Sequence, residues 1–499
     1  MGRIPPVPAD DGATSSGRRW RPRLARWVSW RRVVLAAVGC AALLAAHSSL
    51  VSYQSWHKAL QNQGFIDEMP APRAGDRLLV FAPHPDDEML GCGGLIQEAL
   101  ANGATVDVAV VTNGDASELS VVFGEKELIV SPRAMIALGR ARQEETLEAL
   151  AEIGLSRNRV HFLSYPNNGL MQLWQTDHWL YRDLYTSRYT HADLSPYPRS
   201  LTPQAPYCGQ QTLSDVIAIL QQVQPHKVFV THPKDVHPDH WATDCFVRYA
   251  LETIAERGGD WAKSVEVYGY LIHWPRYPAP SRLSLRTALL PPADLVADDA
   301  RWLRLPLSPE VARRKLAGIK AYHSQMPSFD RLLLAFARDN ESFELLSAQQ
   351  ITPGVRQRFE DRGGSRRALK GAELREVQLT MLDRARLRVT LVTRARKMGR
   401  RSYLRLDLRG WDEHGAPAIT ELQLDNHGAA VVSRLEGAHV EDQSRSAVVT
   451  RTEAGYSINL AAPPELGRRR SFFLTCWGSA GDRTVDSAVV SSVQVGTGY

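Results

Sequence analysis

From about residue 75 the chain alternates short runs of β-branched and apolar residues with longer stretches whose apolar positions recur every three to four residues. Residues 78–82 (LLVFA) predict a buried strand, followed by a helix through residue 100. A second strand is predicted at 105–111, a helix at 140–153 with Leu147 and Leu150 in register, and a third strand at 160–163. A helix at 213–223, a strand at 227–231 (KVFVT), a helix at 241–256 and a strand at 265–272 complete the series. Regular β-α alternation with apolar strands predicts an α/β domain over 75–345: a Rossmann-like, mostly parallel sheet with helices on both faces.

Two segments depart from this pattern. Residues 165–212 are rich in Tyr, Trp, Pro and His and only weakly periodic, and long segments of this kind are usually functional or disordered. Their aromatics (Trp174, Trp179, Tyr181, Tyr185, Tyr189) argue against disorder. They suit either stacking on sugar rings or the packing of an inserted surface segment. Residues 346–371 read as a linker, Gly- and Arg-rich from 353. Beyond it come short alternating runs at 377–382, 387–392, 403–408, 431–435, 456–460, 472–477 and 488–495, which predict an all-β, sandwich-like domain over 372–499.

The N-terminal 54 residues form a leader. Eight Arg and two Asp fall in residues 1–32, ahead of an apolar stretch at 33–51. A basic segment before such a run is the pattern of a signal anchor or a cleaved signal peptide. Basic residues favour a cytoplasmic N-terminus, which would carry the remainder across the membrane, anchored or secreted.

That leader accounts for the whole net charge of +6, leaving 52 basic and 52 acidic residues in the rest of the chain. A nucleic-acid footprint needs a basic excess on the folded part, so nucleic acid is excluded as a partner. Eight basic residues between Arg384 and Arg401 (Arg384, Arg386, Arg388, Arg394, Arg396, Lys397, Arg400, Arg401) suit a solvated strand face, with anionic lipid or polysaccharide as the sharper alternative. None of the five cysteines lies in a CxxC pair, so thiolate metal sites are disfavoured. Cys208 and Cys245 read as inert thiols or a disulfide.

The chemistry lies at two strand ends. LLVFA runs into Pro83-His84-Pro85-Asp86-Asp87-Glu88, and KVFVT runs into His232-Pro233-Lys234-Asp235-Val236-His237-Pro238-Asp239-His240. Open parallel sheets gather ligands at such ends. Each residue alone has a plainer reading: Asp86 and Asp87 suit helix capping, and the histidines suit ordinary loops. Together, His and carboxylate at i and i+3 plus a His from a second strand make a two-His, one-carboxylate site with room for water and substrate. Such donors suit zinc, with ferrous iron as an alternative.

APHPDDEMLGCGG followed by HPKDVHPDH resembles the LmbE/PIG-L family of zinc-dependent N-acetylglucosaminyl deacetylases. RQEETLEALAEIGL resembles the family's Arg-x-x-Glu helix (Arg142, Glu145), and KLAGIKAYHSQ its His-Ser-Gln element (His323, Ser324, Gln325). The resemblance covers roughly residues 75–335. It implies that His84, Asp87 and His240 bind one Zn2+, or another divalent ion. Asp86 would be the general base, and a protonated His237 would stabilise the oxyanion. Asp239 would orient an imidazole, and Arg142 would hold a substrate hydroxyl or phosphate, or simply form an ion pair with Glu145 or a neighbouring helix. Tyr165-Pro166-Asn167-Asn168-Gly169 stands where family members often carry an Asp, so Asn167 and Asn168, with His323, are the candidates for substrate contact. The implied reaction is acetamide hydrolysis on a GlcNAc-type glycolipid, lipid-linked sugar or envelope polysaccharide. Rival readings are an amidohydrolase for a non-sugar N-acyl compound and a non-catalytic glycan-binding protein.

Overall fold

A computed structural model describes residues 30–117, 131–296, 300–351, 354–360, 374–383, 386–393, 398, 402–412, 414–427, 430–436, 439–442, 447–452, 455–461, 471–480 and 483–495. Outside these lie the basic leader to residue 29, linker residues 361–371, and Arg384, Arg394, Arg396, Lys397, Arg400 and Arg401 of the basic segment. The chain divides into two compact units, residues 1–50 and 51–499.

Helix α1 (Trp30–Gln61) begins in the first unit. Its segment Val33–Gln61 is, among the described residues, the one helix long and apolar enough to cross a membrane by length and composition. Leu35 and Leu43 of this helix are 70% and 72% exposed.

The larger unit opens with an eight-stranded sheet. Its elements are β1 (Asp67–Glu68), β2 (Arg77–Ala82), α2 (Asp87–Ala101), β3 (Thr105–Thr112), α3 (Pro132–Glu152) and β4 (Val160–Tyr165). Then follow α4 (Leu170–Trp174), α5 (Gly209–Val223), β5 (Lys227–Thr231), α6 (Pro238–Glu256), β6 (Glu266–Tyr270), β7 (Arg301–Pro306), α7 (Pro309–Lys320), α8 (Met326–Leu334) and β8 (Asn340–Leu346). The spatial order is β1-β7-β8-β6-β5-β2-β3-β4. The five strands from β4 to β6 pair in parallel, while β8 runs antiparallel to both β6 and β7.

The alternation of side chains explains why these strands read as continuous apolar runs. Leu78, Val80 and Ala82 enter one core, while Leu79 and Phe81 enter the other. Phe229 and its neighbours Val228 and Val230 divide in the same way. A sheet covered on both faces has no polar side, so the period-2 signal vanishes from its sequence.

The strands of the C-terminal half are β9 (Gln349–Ile351), β10 (Gln357–Glu360), β11 (Leu374–Asp383), β12 (Arg386–Thr393), β13 (Ser402–Trp411) and β14 (Pro417–Leu424). They continue with β15 (Ala430–Glu436), β16 (His439–Asp442), β17 (Ala447–Arg451), β18 (Gly455–Ala461), β19 (Ser471–Ala480) and β20 (Arg483–Val495). Two sheets form, ordered β10-β11-β12-β18-β17 and β16-β15-β14-β13-β19-β20-β9. Leu379, Val389 and Ile458 of the first share one core with Leu406, Leu422 and Leu474 of the second, which is the layering of a sandwich. The segment expected to be a plain linker supplies β9 and β10, which pair with β20 and β11. Arg386 and Arg388 are exposed on β12, as a solvated face requires.

The outer face of the seven-stranded sheet is also covered. Trp411, Ile419, Leu435, Phe473 and Trp477 join the core cluster that contains α5 and α6. Both halves thus belong to one packed unit.

Candidate metal and catalytic centre

The strand order reverses direction between β2 and β5, which lie side by side. In open α/β sheets this switch point leaves a crevice beyond the carboxyl ends of the strands. Both sequence clusters open into it: β2 turns through Pro83 to Asp86 into α2, and β5 through residues 232–237 into α6.

Three donor atoms meet there. His84 Nδ1 lies 3.2 Å from Asp87 Oδ2 and 3.1 Å from His240 Nε2, and His240 Nε2 lies 3.1 Å from Asp87 Oδ2. Bonds of about 2.0–2.1 Å at tetrahedral angles separate donors by about 3.3–3.4 Å, so this triangle fits one small divalent ion with little adjustment. All three side chains are buried.

Each ligand is held from behind. His84 Nε2–H donates to Asn167 Oδ1 at 2.9 Å, with Asp239 Oδ2 at 3.4 Å. His240 Nδ1–H donates to Asp235 Oδ2 at 3.1 Å. These bonds would leave the opposite ring nitrogens available as ligands to an ion, the usual role of outer carboxylates and amides. Asp235 also accepts from the backbone of His237, Ile272 and His273, so one fully buried carboxylate fixes two loops.

The electrostatics match a cation. Burial raises the Asp87 carboxyl, but the facing His240 and His84 outweigh it and hold it well below the usual carboxylate range. Burial opposes charge on His240, yet Asp235 and Asp87 push it up to about 10. His84 is likewise raised, because its bonds to Asp239 and Asp87 overcome burial. A position that binds protons this strongly is one that welcomes positive charge.

Asp86 faces differently. Its φ is +118°, and its side chain makes no capping bond to α2, so the capping reading does not hold. Such backbone costs about 1–3 kcal/mol and persists where the surroundings over-determine it. Here Arg142 Nη2 pairs with Asp86 Oδ2 at 3.0 Å and also donates to the Pro85 carbonyl, while Nη1 donates to Gly114 O at 2.8 Å. Glycine suits position 114: its φ is +62°, and a Cβ there would stand 2.0 Å from Arg142 Nη1 and displace that guanidinium. Burial lifts the Asp86 carboxyl to about 7, with Arg142 pulling it back.

His237 is half-buried beside these residues, its ring centroid 4.7 Å from that of His84. Its Nδ1 accepts from Asp239 N–H at 3.2 Å, which leaves the ring proton on Nε2. The expected imidazolium gives way to a neutral imidazole, since a second ring proton would cost that bond. Burial and the neighbouring histidines hold its pKa well below the ordinary value.

The remaining expectations shift position. Arg142 is buried against Asp86 and is not paired with Glu145, whose carboxylate accepts from Ser324 N and Oγ at 2.6 and 2.7 Å. Asn167 is occupied by His84, and the exposed Asn168 donates its backbone N–H to Asp239 at 2.6 Å. His323 is exposed, with no bond to the ligand triangle among the described residues. Trp174 and Trp179 are fully buried, which removes them as sugar platforms, while Tyr181 is half exposed. Cys208 and Cys245 are buried free thiols rather than a disulfide.

Asp235, Asp115, Glu88 and His273 carry roles no single motif assigned. Asp115 accepts from Asn167 N–H at 2.7 Å and from the Tyr197 hydroxyl. Glu88 accepts from Asp86 N–H and the Tyr322 hydroxyl. The His273 ring lies 4.8 Å from that of His240. Asp115 and His273 follow β3 and β6 directly, so position beyond a parallel strand was the available signal.

Residues 79–251 match the family model described as PIG-L: GlcNAc-PI de-N-acetylase. The chain is 31% identical over 179 residues to a 1D-myo-inositol 2-acetamido-2-deoxy-alpha-D-glucopyranoside deacetylase of Rhodococcus opacus, covering 35% of this chain and 53% of that protein. The corresponding deacetylase of Rhodococcus erythropolis is 27% identical over 195 residues, covering 37% and 58%. The chain thus spans about half the length of the curated relatives it matches. Among solved structures, the N,N'-diacetylchitobiose deacetylase of Pyrococcus horikoshii is 17% identical, with a TM-score of 0.34 over 54% of this chain and 84% of that one.

Proposed function

Starting from residues 79–251 as a PIG-L family domain, we propose that this chain is a zinc-dependent N-deacetylase acting on a GlcNAc-type sugar. The observation that carries this reading is the buried triangle of His84, Asp87 and His240 with Asp86 and His237 beside it.

An ion held by His84 Nδ1, Asp87 Oδ2 and His240 Nε2 supplies Lewis acidity toward an amide carbonyl and toward water. Asp86 takes the proton of the attacking water and returns it to the departing amine, and a carboxyl near 7 suits both transfers. His237 Nε2–H donates to the oxygen on which negative charge develops. Water and the N-acetyl group become acetate and a free amine. Arg142 holds Asp86 in its strained backbone position, and Asp239, Asp235 and Asn167 keep the two imidazoles turned inward. Asn168, exposed at the rim, is the residue we assign to substrate contact, with His323 as a more distant candidate.

The apolar helix Val33–Gln61 supports a membrane-tethered enzyme whose substrate is a glycolipid, a lipid-linked sugar or an envelope polysaccharide on the extracytoplasmic side.

The test is metal analysis of the detergent-purified full chain together with acetate release from a panel of N-acetylated sugars and non-sugar amides. One ion per chain and chelator-sensitive release from GlcNAc compounds are expected. Asp86→Asn should keep the ion and the fold while lowering kcat by about 10²–10⁴-fold. Glycan binding without an ion or turnover would sink the hydrolase reading.

A further inference from the structure

We propose that the C-terminal sandwich is a positioning part of the catalytic centre, acting through Arg409 on the short helix α4 that braces His84. The proposal rests on the metal-dependent reading above.

The geometry forms a continuous line. His84 Nε2 donates to Asn167, which precedes α4. The N-terminus of α4 is tied to Asp239, whose Oδ1 accepts from Leu170 N at 3.1 Å and Oδ2 from Asn168 N at 2.6 Å. One end of a five-residue helix therefore sets both partners of the His84 imidazole. A helix this short has little stability of its own, so its placement comes from what packs on it.

The other end is clamped by the sandwich. The Arg409 guanidinium lies 3.6 Å over the Trp174 ring and 4.5 Å from the Trp179 ring centroid, and Nη2 donates to the Trp174 carbonyl. Trp174 Nε1–H donates to Thr475 Oγ1 at 3.1 Å. Arg405 Nη1 reaches Gln175 Oε1 at 2.6 Å, and Glu421 accepts from Thr176 N and Oγ1. Four side chains of β13, β14 and β19 thus hold residues 174–176.

The sandwich grips the second ligand-bearing helix as well. Trp241, next to His240, meets Trp477 with ring centroids 5.6 Å apart, and Trp411 Nε1–H donates to Thr253 Oγ1 at 2.9 Å. Arg409 is fully buried with Asp407, 2.7 Å away, as its carboxylate partner. A domain that merely bound glycan would have no need to place a buried ion pair against the helix behind a metal ligand.

The test uses the full chain in detergent, loaded with Co2+ as a spectroscopic probe. Arg409→Leu strands the buried Asp407, so the charge-neutral pair Asp407→Asn with Arg409→Gln is compared with Arg409→Lys and Thr475→Val. The double variant should weaken Co2+ affinity about tenfold, the lower end for residues behind a metal ligand. It should also change the Co2+ absorption band and lower kcat while leaving KM in place. Arg409→Lys should recover part of each loss, and Thr475→Val should shift each in the same direction by less. A folded double variant with unaltered Co2+ affinity, spectrum and kcat would overturn the proposal, as would an unaltered Thr475→Val if the double variant does not fold. Should the wild-type chain itself bind no Co2+ and release no acetate, the enzymatic reading fails and the proposal with it.

Discussion

Among the buried charge clusters of this unit, two are built on opposite terms. At the switch point, His84, Asp87, His240 and Asp235 each find partners, and their protonation is biased toward holding a cation. At the sandwich interface, Asp407 and Arg409 share a bond of 2.7 Å, yet among the described residues Asp407 Oδ1 and Arg409 Nε and Nη1 find no hydrogen-bond partner. The first cluster carries the charge pattern that suits a bound cation. The second is held by packing, with Trp174 and Trp179 offering their ring faces to the guanidinium in place of water. A buried charge is therefore not in itself a sign of chemistry; what separates the clusters is that in the first three donor atoms converge to 3.1–3.2 Å of one another.

The contrast is sharpest at Asp235. Asp235→Asn keeps its size but weakens the acceptor behind His240, so metal affinity should fall about 10–100-fold, read by chelator competition. The unchanged interface should leave the sandwich core intact in the same variant. A metal affinity equal to wild type would show that His240 needs no partner.

Arg142 probes the other half of the site. Its charge lowers the Asp86 carboxyl, which stands at about 7 because burial raises it further. The proposed mechanism uses the deprotonated form, so kcat/KM should rise with pH along an acid limb set by this carboxyl. Arg142→Gln removes the lowering influence, and the acid limb should move to higher pH. A limb that stays in place, or moves down, would place the titrating base elsewhere.

The smallest effect belongs to the interface. Burial raises Asp407 to about 7 despite Arg409, above its ordinary value of 3.8. Its folded pKa exceeds the unfolded one, so its stabilising contribution is full below about pH 4 and lost as pH rises through about 7. Asp407→Asn should flatten the stability profile in that window, by a fraction of the ~1.4 kcal/mol per pH unit that one group sets as a ceiling. Denaturant midpoints at pH 4.5 and 7.5 would show it. An unchanged slope would mean that the interface carries its charge without cost.

Much of the site was legible because it is local. A strand followed at once by His-x-x-Asp keeps the two donors within one turn, and both clusters come directly after strands. The outer residues were less so. Asp235 lay inside a recognised motif with no assigned task, because its partner His240 Nδ1 becomes visible only once the loop folds back. Arg142 and Glu145 suggested a pair from their spacing on one helix, but α3 turns them to different neighbours, Asp86 and Ser324.

By itself, the sequence determined the alternation of strands and helices, the two ligand clusters at strand ends, and the β character of the last third. Each is a short-range property, set by period and by turn residues. Only the tertiary structure decided what meets the second face of β13. There Leu404, Leu406 and Leu408 alternate with Arg405, Asp407 and Arg409, a pattern that reads as one apolar and one solvated side. The fold buries the leucines in the sandwich and Asp407 and Arg409 on the other side, where Arg409 meets α4, leaving Arg405 half-buried. Periodicity tells which side chains share a face; which surface that face is pressed against depends on chain hundreds of residues away.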